Sequence, residues 1–269
     1  MGRSVSALDG SSWFNLWPGL KSVLKRGRLD SSRKRGSMIL SETQIDKHSC
    51  LVLDPPVIPP GAPVVVTLHG LGTNADDLVP FCEQLKLPHC RFVLPDAPMH
   101  LPGYPEGAYA WYDFQAHDRK HIEDSRDYLF KVLDRFANDP NLRPSPGSEK
   151  SHRPLVLLGF SQGGVMSLEA GLNYKGNMAA IVSMSGYMPD PWATLTKAEA
   201  PFETPILLVH GTQDNVVPVD GSRHAAESLK QTGYHAVTLK EFEMGHTITM
   251  ESLGEVSKFL NEVLFKGKS

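Results

Sequence analysis

From about residue 48 onward the chain alternates short β-rich apolar runs with stretches of helical period. Residues 64–68, 91–94, 155–158, 178–184, 206–210 and 235–242 are runs rich in apolar or β-branched residues, each of buried-strand length. Between these runs, Ile122, Leu129, Leu133 and Phe136 share one face of a 3.6-residue repeat, and Met250, Leu253, Val256, Leu260 and Val263 make a second stripe near the C-terminus. Strands that alternate with amphipathic helices predict βα units, and so an α/β fold with a mostly parallel central sheet flanked by helices on both faces. The stripes are core faces rather than cofactor boxes. No internal repeat is present, and the Pro, Ser and Gly patch at 140–154 reads as an exposed loop. Two further loops, 95–113 and 187–204, are rich in proline and aromatics and follow strands, where an open α/β sheet places its ligand crevice.

The first forty residues break this pattern. Five Arg and three Lys face only Asp9 and Asp30, and eight serines are scattered among them. Trp13, Leu16, Trp17, Leu20 and Leu24 keep a helical spacing beside Lys21, Lys25, Arg26 and Arg28, interrupted by Pro18 and Gly19, a basic amphipathic pattern found in transit peptides and surface-seeking helices. The expected division is a poorly ordered basic leader or upstream extension at 1–40, with a start at Met1 or at Met38, followed by a single domain at 41–269.

Composition narrows the function classes. With 269 residues and 41% apolar content the chain can bury one large core, and 27 basic against 30 acidic residues leave no cationic surplus of the kind a nucleic-acid partner selects. Cys50, Cys82 and Cys90 lack the two-residue gap of a zinc or redox motif and read as free thiols in a reducing compartment. No apolar run reaches the roughly eighteen residues of a spanning helix. The expectation is a cytoplasmic chain without stable membrane insertion, or an organelle-imported one if the leader is a transit segment. A homodimer stays open.

The sharpest chemical feature is Leu155-Val-Leu-Leu-Gly159-Phe160-Ser161-Gln162-Gly163-Gly164, a buried strand that runs into a glycine-framed serine and then a helical pattern. A serine on a tight strand-to-helix turn needs small residues two positions to either side, and its hydroxyl then stands above the sheet beside a helix N-terminus that favours developing negative charge. The bland alternative is a glycine-rich turn whose serine caps the helix. A hydroxyl is a weak nucleophile, so catalysis needs a base and a carboxylate that fixes the base's tautomer. Asp214 follows the 206–210 strand, with Asp220 as the weaker choice, and His246 stands on the loop before the last helical stripe. His210, His224 and His235 compete, but they fall within a strand, in a helical segment and at a strand start. Asp214 alone could be a turn-forming residue; the order Ser, Asp, His makes catalysis the better reading. An oxyanion hole built in the known way takes one amide from the residue after the serine, Gln162, and one from the first strand-to-helix loop, Leu71. His69 is expected to shape that loop rather than titrate. Leu101, Tyr104, Tyr109, Trp111, Met188 and Trp192 are candidates to line an apolar acyl pocket, or equally to pack the two long loops down. A rival reading takes Gly70-Leu-Gly72-Thr-Asn-Ala75 as a relaxed dinucleotide fingerprint with Asp96 closing the next strand; Asp76 and Asp77 in the first helical turn oppose a pyrophosphate there.

Taken together, Leu68-His-Gly-Leu-Gly72, Leu94-Pro-Asp-Ala-Pro98, Ala110-Trp-Tyr-Asp113, Gly159-Phe-Ser-Gln-Gly-Gly164, His210-Gly-Thr-Gln-Asp214 with Val217-Pro218, and Gly245-His246 resemble, in order, the blocks of the phospholipase/carboxylesterase group of α/β hydrolases, which includes acyl-protein thioesterases and small bacterial carboxylesterases. The resemblance spans about residues 60 to 265 and implies an α/β-hydrolase fold, Ser161 as nucleophile, Asp214 as orienting acid, His246 as base and the Leu71 and Gln162 amides as oxyanion donors. It also implies hydrolysis of carboxylic esters or thioesters with no metal or organic cofactor. One block departs: Thr73-Asn74-Ala75-Asp76-Asp77 replaces the Asp that acyl-protein thioesterases usually carry there, and is closer to the small carboxylesterases. The expected protein is a serine hydrolase acting on a small-molecule ester or acyl-thioester; the alternative from another class is a non-catalytic receptor or binding protein on the same fold.

Overall fold

A computed structural model describes residues 33–35, 38–100, 105–116, 118–138, 153–196 and 198–265. Its centre is β4 (Val64–Leu68), β6 (Leu155–Phe160), β7 (Met178–Met184) and β8 (Ile206–Gly211), strands whose residues are almost all buried. They belong to a nine-stranded sheet that continues through β5 (Arg91–Pro95), β3 (His48–Asp54), β2 (Met38–Ile45) and β1 (Arg33–Arg35) on one side and β9 (Val237–Phe242) on the other, in the order β1-β2-β3-β5-β4-β6-β7-β8-β9. From β5 to β9 every pairing is parallel, while β1, β2 and β3 join antiparallel.

Apolar side chains on both faces of each central strand need a cover on both sides. Val64, Val66, Leu68, Leu155, Leu157 and Leu208 pack under α2 (Arg119–Ala137), α3 (Gln162–Asn173) and α5 (Asp220–Gln231). The alternate residues Val65, Val156, Leu158, Leu207 and Val209 pack under α1 (Ala75–Gln84) and α6 (Met250–Phe265). Ile122, Leu129, Leu133 and Phe136 are all buried, as the helical stripe predicts. In the C-terminal stripe Leu253, Val256 and Leu260 are buried, but Met250 opens α6 at the surface, 71% exposed, and Val263 is only partly covered. A short helix, α4 (Pro191–Leu195), interrupts the loop after β7.

The boundary at residue 41 falls inside β2. Met38 and Leu40 are buried in the core, and the backbone of Arg33–Arg35 pairs with Met38–Leu40, so the sheet takes in residues assigned above to the leader. The reason is that β2 lies near the sheet edge, where polar residues alternate with apolar ones and dilute the apolar signal. The basic stripe at Trp13–Leu24 and most of the 140–154 patch lie outside the described residues.

Candidate active site

Parallel strands end together, and the C-terminal ends of β6, β8 and β9 deliver the three side chains that the order of the motifs singles out. Ser161 follows β6 with φ 57° and ψ −120°, a strained backbone state for a residue with a side chain, and caps α3 without a side-chain hydrogen bond. The turn closes because its framing residues are glycines: a Cβ on Gly159 would collide with the Gly163 carbonyl, and one on Gly163 with the Leu68 carbonyl of β4. The Ser161 N–H donates to the Met184 carbonyl at 2.9 Å and ties the elbow to the neighbouring strand.

His246 stands on the loop after β9, 85 residues from Ser161 in sequence, with its Nε2 3.0 Å from the Ser161 hydroxyl. Its Nδ1–H donates to Asp214 Oδ2 at 2.7 Å. That donor role fixes the tautomer and leaves Nε2 as the acceptor of the serine proton. Two backbone bonds hold the loops together: Thr212 N–H to the Phe242 carbonyl at 2.8 Å, and Gln213 N–H to the Met244 carbonyl at 3.1 Å. The Phe160 ring packs against the imidazole at 4.9 Å between centroids.

The Asp214 side chain is fully buried. Burial raises its pKa, but hydrogen bonds from His210 and His246, the charge of His246 and the Val217 N–H outweigh that penalty and hold the carboxyl well below the usual carboxylate range. Its Oδ1 accepts the Val216 and Val217 N–H groups at 2.9 and 2.8 Å. Asp220 is instead exposed and paired with Arg223 at 3.0 Å. His210 is buried between the Ser222 hydroxyl at 2.7 Å and the Val217 carbonyl at 2.8 Å, with Nε2 3.4 Å from Asp214 Oδ2. His224 and His235 are exposed. Among the described histidines, His246 alone meets both the serine and the acid.

Leu71 lies in the turn after β4, partly exposed, and Gln162 is the first residue of α3, where an N–H has no acceptor inside the helix. Neither amide donates to another group among the described residues. Gly70 brings the Leu71 turn against the elbow: a Cβ there would lie 3.5 Å from the Ser161 Cβ.

Two of the candidate acyl-pocket residues, Trp111 and Met188, are buried. Trp111 has no exposed surface; its indole N–H donates to the His69 carbonyl at 2.9 Å. Met188 is buried in the core beneath the loop after β7. A substrate needs reachable surface, and Trp111 offers none and Met188 very little. The Trp192 side chain, and Leu101 and Tyr104 entirely, lie outside the described residues, and Tyr109 is partly buried. The dinucleotide reading meets a physical obstacle in Asp96, which is buried and accepts the Ala75 N–H at the start of α1 at 2.9 Å, while Asp76 and Asp77 occupy the first turn. Sequence reasoning passed over the side chains of Gln162 and Thr73. The Gln162 bonds reach a connection that no local spacing encodes, Trp111 being 51 residues away, whereas the Thr73 hydroxyl bonds within its own turn to the Gly70 carbonyl.

The chain matches the family model described as Phospholipase/Carboxylesterase over residues 58–264. Curated relatives include acyl-protein thioesterase 1 of Neurospora crassa, 30% identical over 79% of this chain and 93% of that protein, and acyl-protein thioesterase 1 of Gibberella zeae, 29% identical over 74% and 90%. Among solved structures, esterase PE8 superposes with a TM-score of 0.65 at 30% identity, covering 77% of this chain and 97% of its own, and Zea mays acyl-protein thioesterase 2 with 0.64 at 25%, covering 80% and 98%.

Proposed function

Because the chain belongs to the phospholipase/carboxylesterase family of α/β hydrolases, and is thus a hydrolase of carboxylic esters or thioesters, we propose that it works through an acyl-enzyme on Ser161. The observation that carries this reading is the continuous hydrogen-bonded line from Ser161 through His246, 3.0 Å away, to Asp214, a further 2.7 Å. His246 Nε2 takes the Ser161 proton as the oxygen attacks the acyl carbonyl, and Asp214 stabilises the imidazolium that forms. The tetrahedral oxyanion sits against the Leu71 and Gln162 amides. As the carbon–oxygen or carbon–sulfur bond breaks, the same imidazole returns the proton to the departing alcohol or thiol. Water then repeats the sequence, with His246 as base, to free the acid and restore Ser161.

For the substrate, we propose an acyl ester or acyl thioester; the names of the curated relatives support the thioester. A panel of nitrophenyl esters and acyl thioesters of increasing chain length ranks the two. A fluorophosphonate probe with mass mapping tests the mechanism: labelling at Ser161, lost in Ser161→Ala together with turnover but not with folding, is the expected result. Ligand binding by a protein that neither labels nor turns over would make it a receptor instead.

A further inference from the structure

The side chain of Gln162 has a task separate from that of its backbone. Its Oε1 accepts the Trp111 N–H at 3.0 Å and its Nε2–H donates to the Tyr112 carbonyl at 2.9 Å, so the first residue of α3 grips the connection between β5 and α2. The same connection grips the turn after β4. The Gly72 N–H donates to the Tyr109 carbonyl at 2.9 Å, the Tyr109 N–H donates to the Thr73 carbonyl at 3.1 Å, and the Trp111 indole N–H donates to the His69 carbonyl. The residues from Tyr109 to Tyr112 thereby join the two places from which the oxyanion amides come.

His69 completes the join. Its Nδ1–H donates to the Gly70 carbonyl at 2.7 Å, and its Nε2 accepts the Ala97 N–H at 3.0 Å, so both ring nitrogens are committed and the tautomer is set. Burial depresses its pKa and keeps the ring neutral. The Thr73 hydroxyl donates to the same Gly70 carbonyl at 2.9 Å. The Gly70 carbonyl and the Leu71 N–H belong to one planar trans peptide unit, so they point in opposite directions. Holding the carbonyl fixes where the amide aims. His69 and Trp111 have no exposed surface, and the Gln162 side chain is buried too.

We infer that His69, Trp111 and the Gln162 carboxamide form one buried brace that aims the Leu71 and Gln162 amides at the oxygen of the reacting carbonyl, making all three positioning residues for the tetrahedral state. This rests on the serine-hydrolase reading above. Oxyanion donors accelerate a reaction only when they are oriented before charge develops, and an amide in an irregular turn keeps its aim only if the neighbouring peptide planes are held. A core that merely filled space would place no such demand on the indole N–H or the carboxamide.

The test uses the full chain with Trp111→Phe, which removes one N–H and keeps an aromatic ring, and Gln162→Met, which keeps side-chain length and the backbone amide. With a short-chain nitrophenyl ester, kcat is expected to fall by about 10- to 100-fold in each while KM stays within about threefold. Affinity for a trifluoromethyl ketone, whose adduct places an oxyanion in the hole, should weaken by the same factor as kcat/KM, while affinity for the matching methyl ether, which forms no adduct, should not change. The double variant should lose less than the product of the two single losses, because both break one chain of bonds. If Trp111→Phe does not fold, Gln162→Met decides. Folded variants that keep kcat within about twofold, or that weaken for ketone and ether alike, overturn the brace. Failure of the mechanism itself looks different: wild-type protein that escapes fluorophosphonate labelling and a Ser161→Ala variant that still turns over.

Discussion

At the scale of single residues, the proposed trio has two candidates in sequence for its acid, because Asp214 and Asp220 both follow the same strand. Geometry separates them. Asp214 is buried and faces His246, whereas Asp220 is solvated beside Arg223. We expect Asp214→Asn to lower kcat by roughly 10³- to 10⁴-fold, because the amide cannot hold the same imidazole tautomer or stabilise its cation, and Asp220→Asn to stay within about twofold. Steady-state kinetics on the two purified variants decides it; equal losses would move the acid elsewhere. The same carboxyl predicts a pH effect. Its pKa is lowered in the folded state, so the stability it contributes is fully present above its unfolded value of about 3.9 and drains away as the pH falls from there toward the folded value. Melting curves from about pH 6 down to about pH 2 should therefore show a shallower acid loss in Asp214→Asn than in wild type below about pH 4.

At the scale of elements, the elbow and the helices behind it follow different rules for the same substitution. Gly159 closes onto the backbone of Gly163, so Gly159→Ala forces the strand and helix apart and should lower stability by about 2 kcal/mol or more, a drop in Tm of roughly 4–8 °C. Gly254, exposed in the middle of α6, has open space where an added methyl group would stand, so Gly254→Ala should raise stability by about 0.5–1 kcal/mol through reduced freedom of the unfolded chain. Thermal melts of both variants check this, and a Gly159→Ala protein as stable as wild type would show that the turn has room for a Cβ. The elements themselves were unequally visible in the sequence. Central strands such as β4 and β7 are almost wholly apolar, interrupted only by Thr67 and Ser183, since both of their faces are covered. The β2–β3 hairpin was harder to read because β2 is half-solvated and its turn is the pair Asp46 and Lys47, with Asp46 at φ 54°, a conformation that an Asp-Lys pair does not advertise.

At the scale of the whole molecule, covering the sheet on both faces leaves all three cysteines free and inside the protein. Cys50 lies in β3, Cys82 in α1 and Cys90 just before β5, and burial pushes the Cys82 and Cys90 thiols up to about 12. Ellman's reagent should find almost no reactive thiol in the native protein and all of them in denaturant, at a rate set by unfolding; a fast-reacting native thiol would mean that one face of the sheet is open. The sequence by itself determined the βα architecture, the elbow and the order of serine, acid and histidine, because those depend on hydrophobic period, on glycine at a crowded turn and on the positions at which strands end. Only the tertiary structure decided that the three side chains meet, that Trp111 is a buried hydrogen-bond donor rather than a pocket wall, and that Gln162 clamps a distant loop. Each of these is a meeting of groups tens of residues apart, fixed by the register of parallel strands and the path of the loops between them, and no local pattern of side chains carries that information.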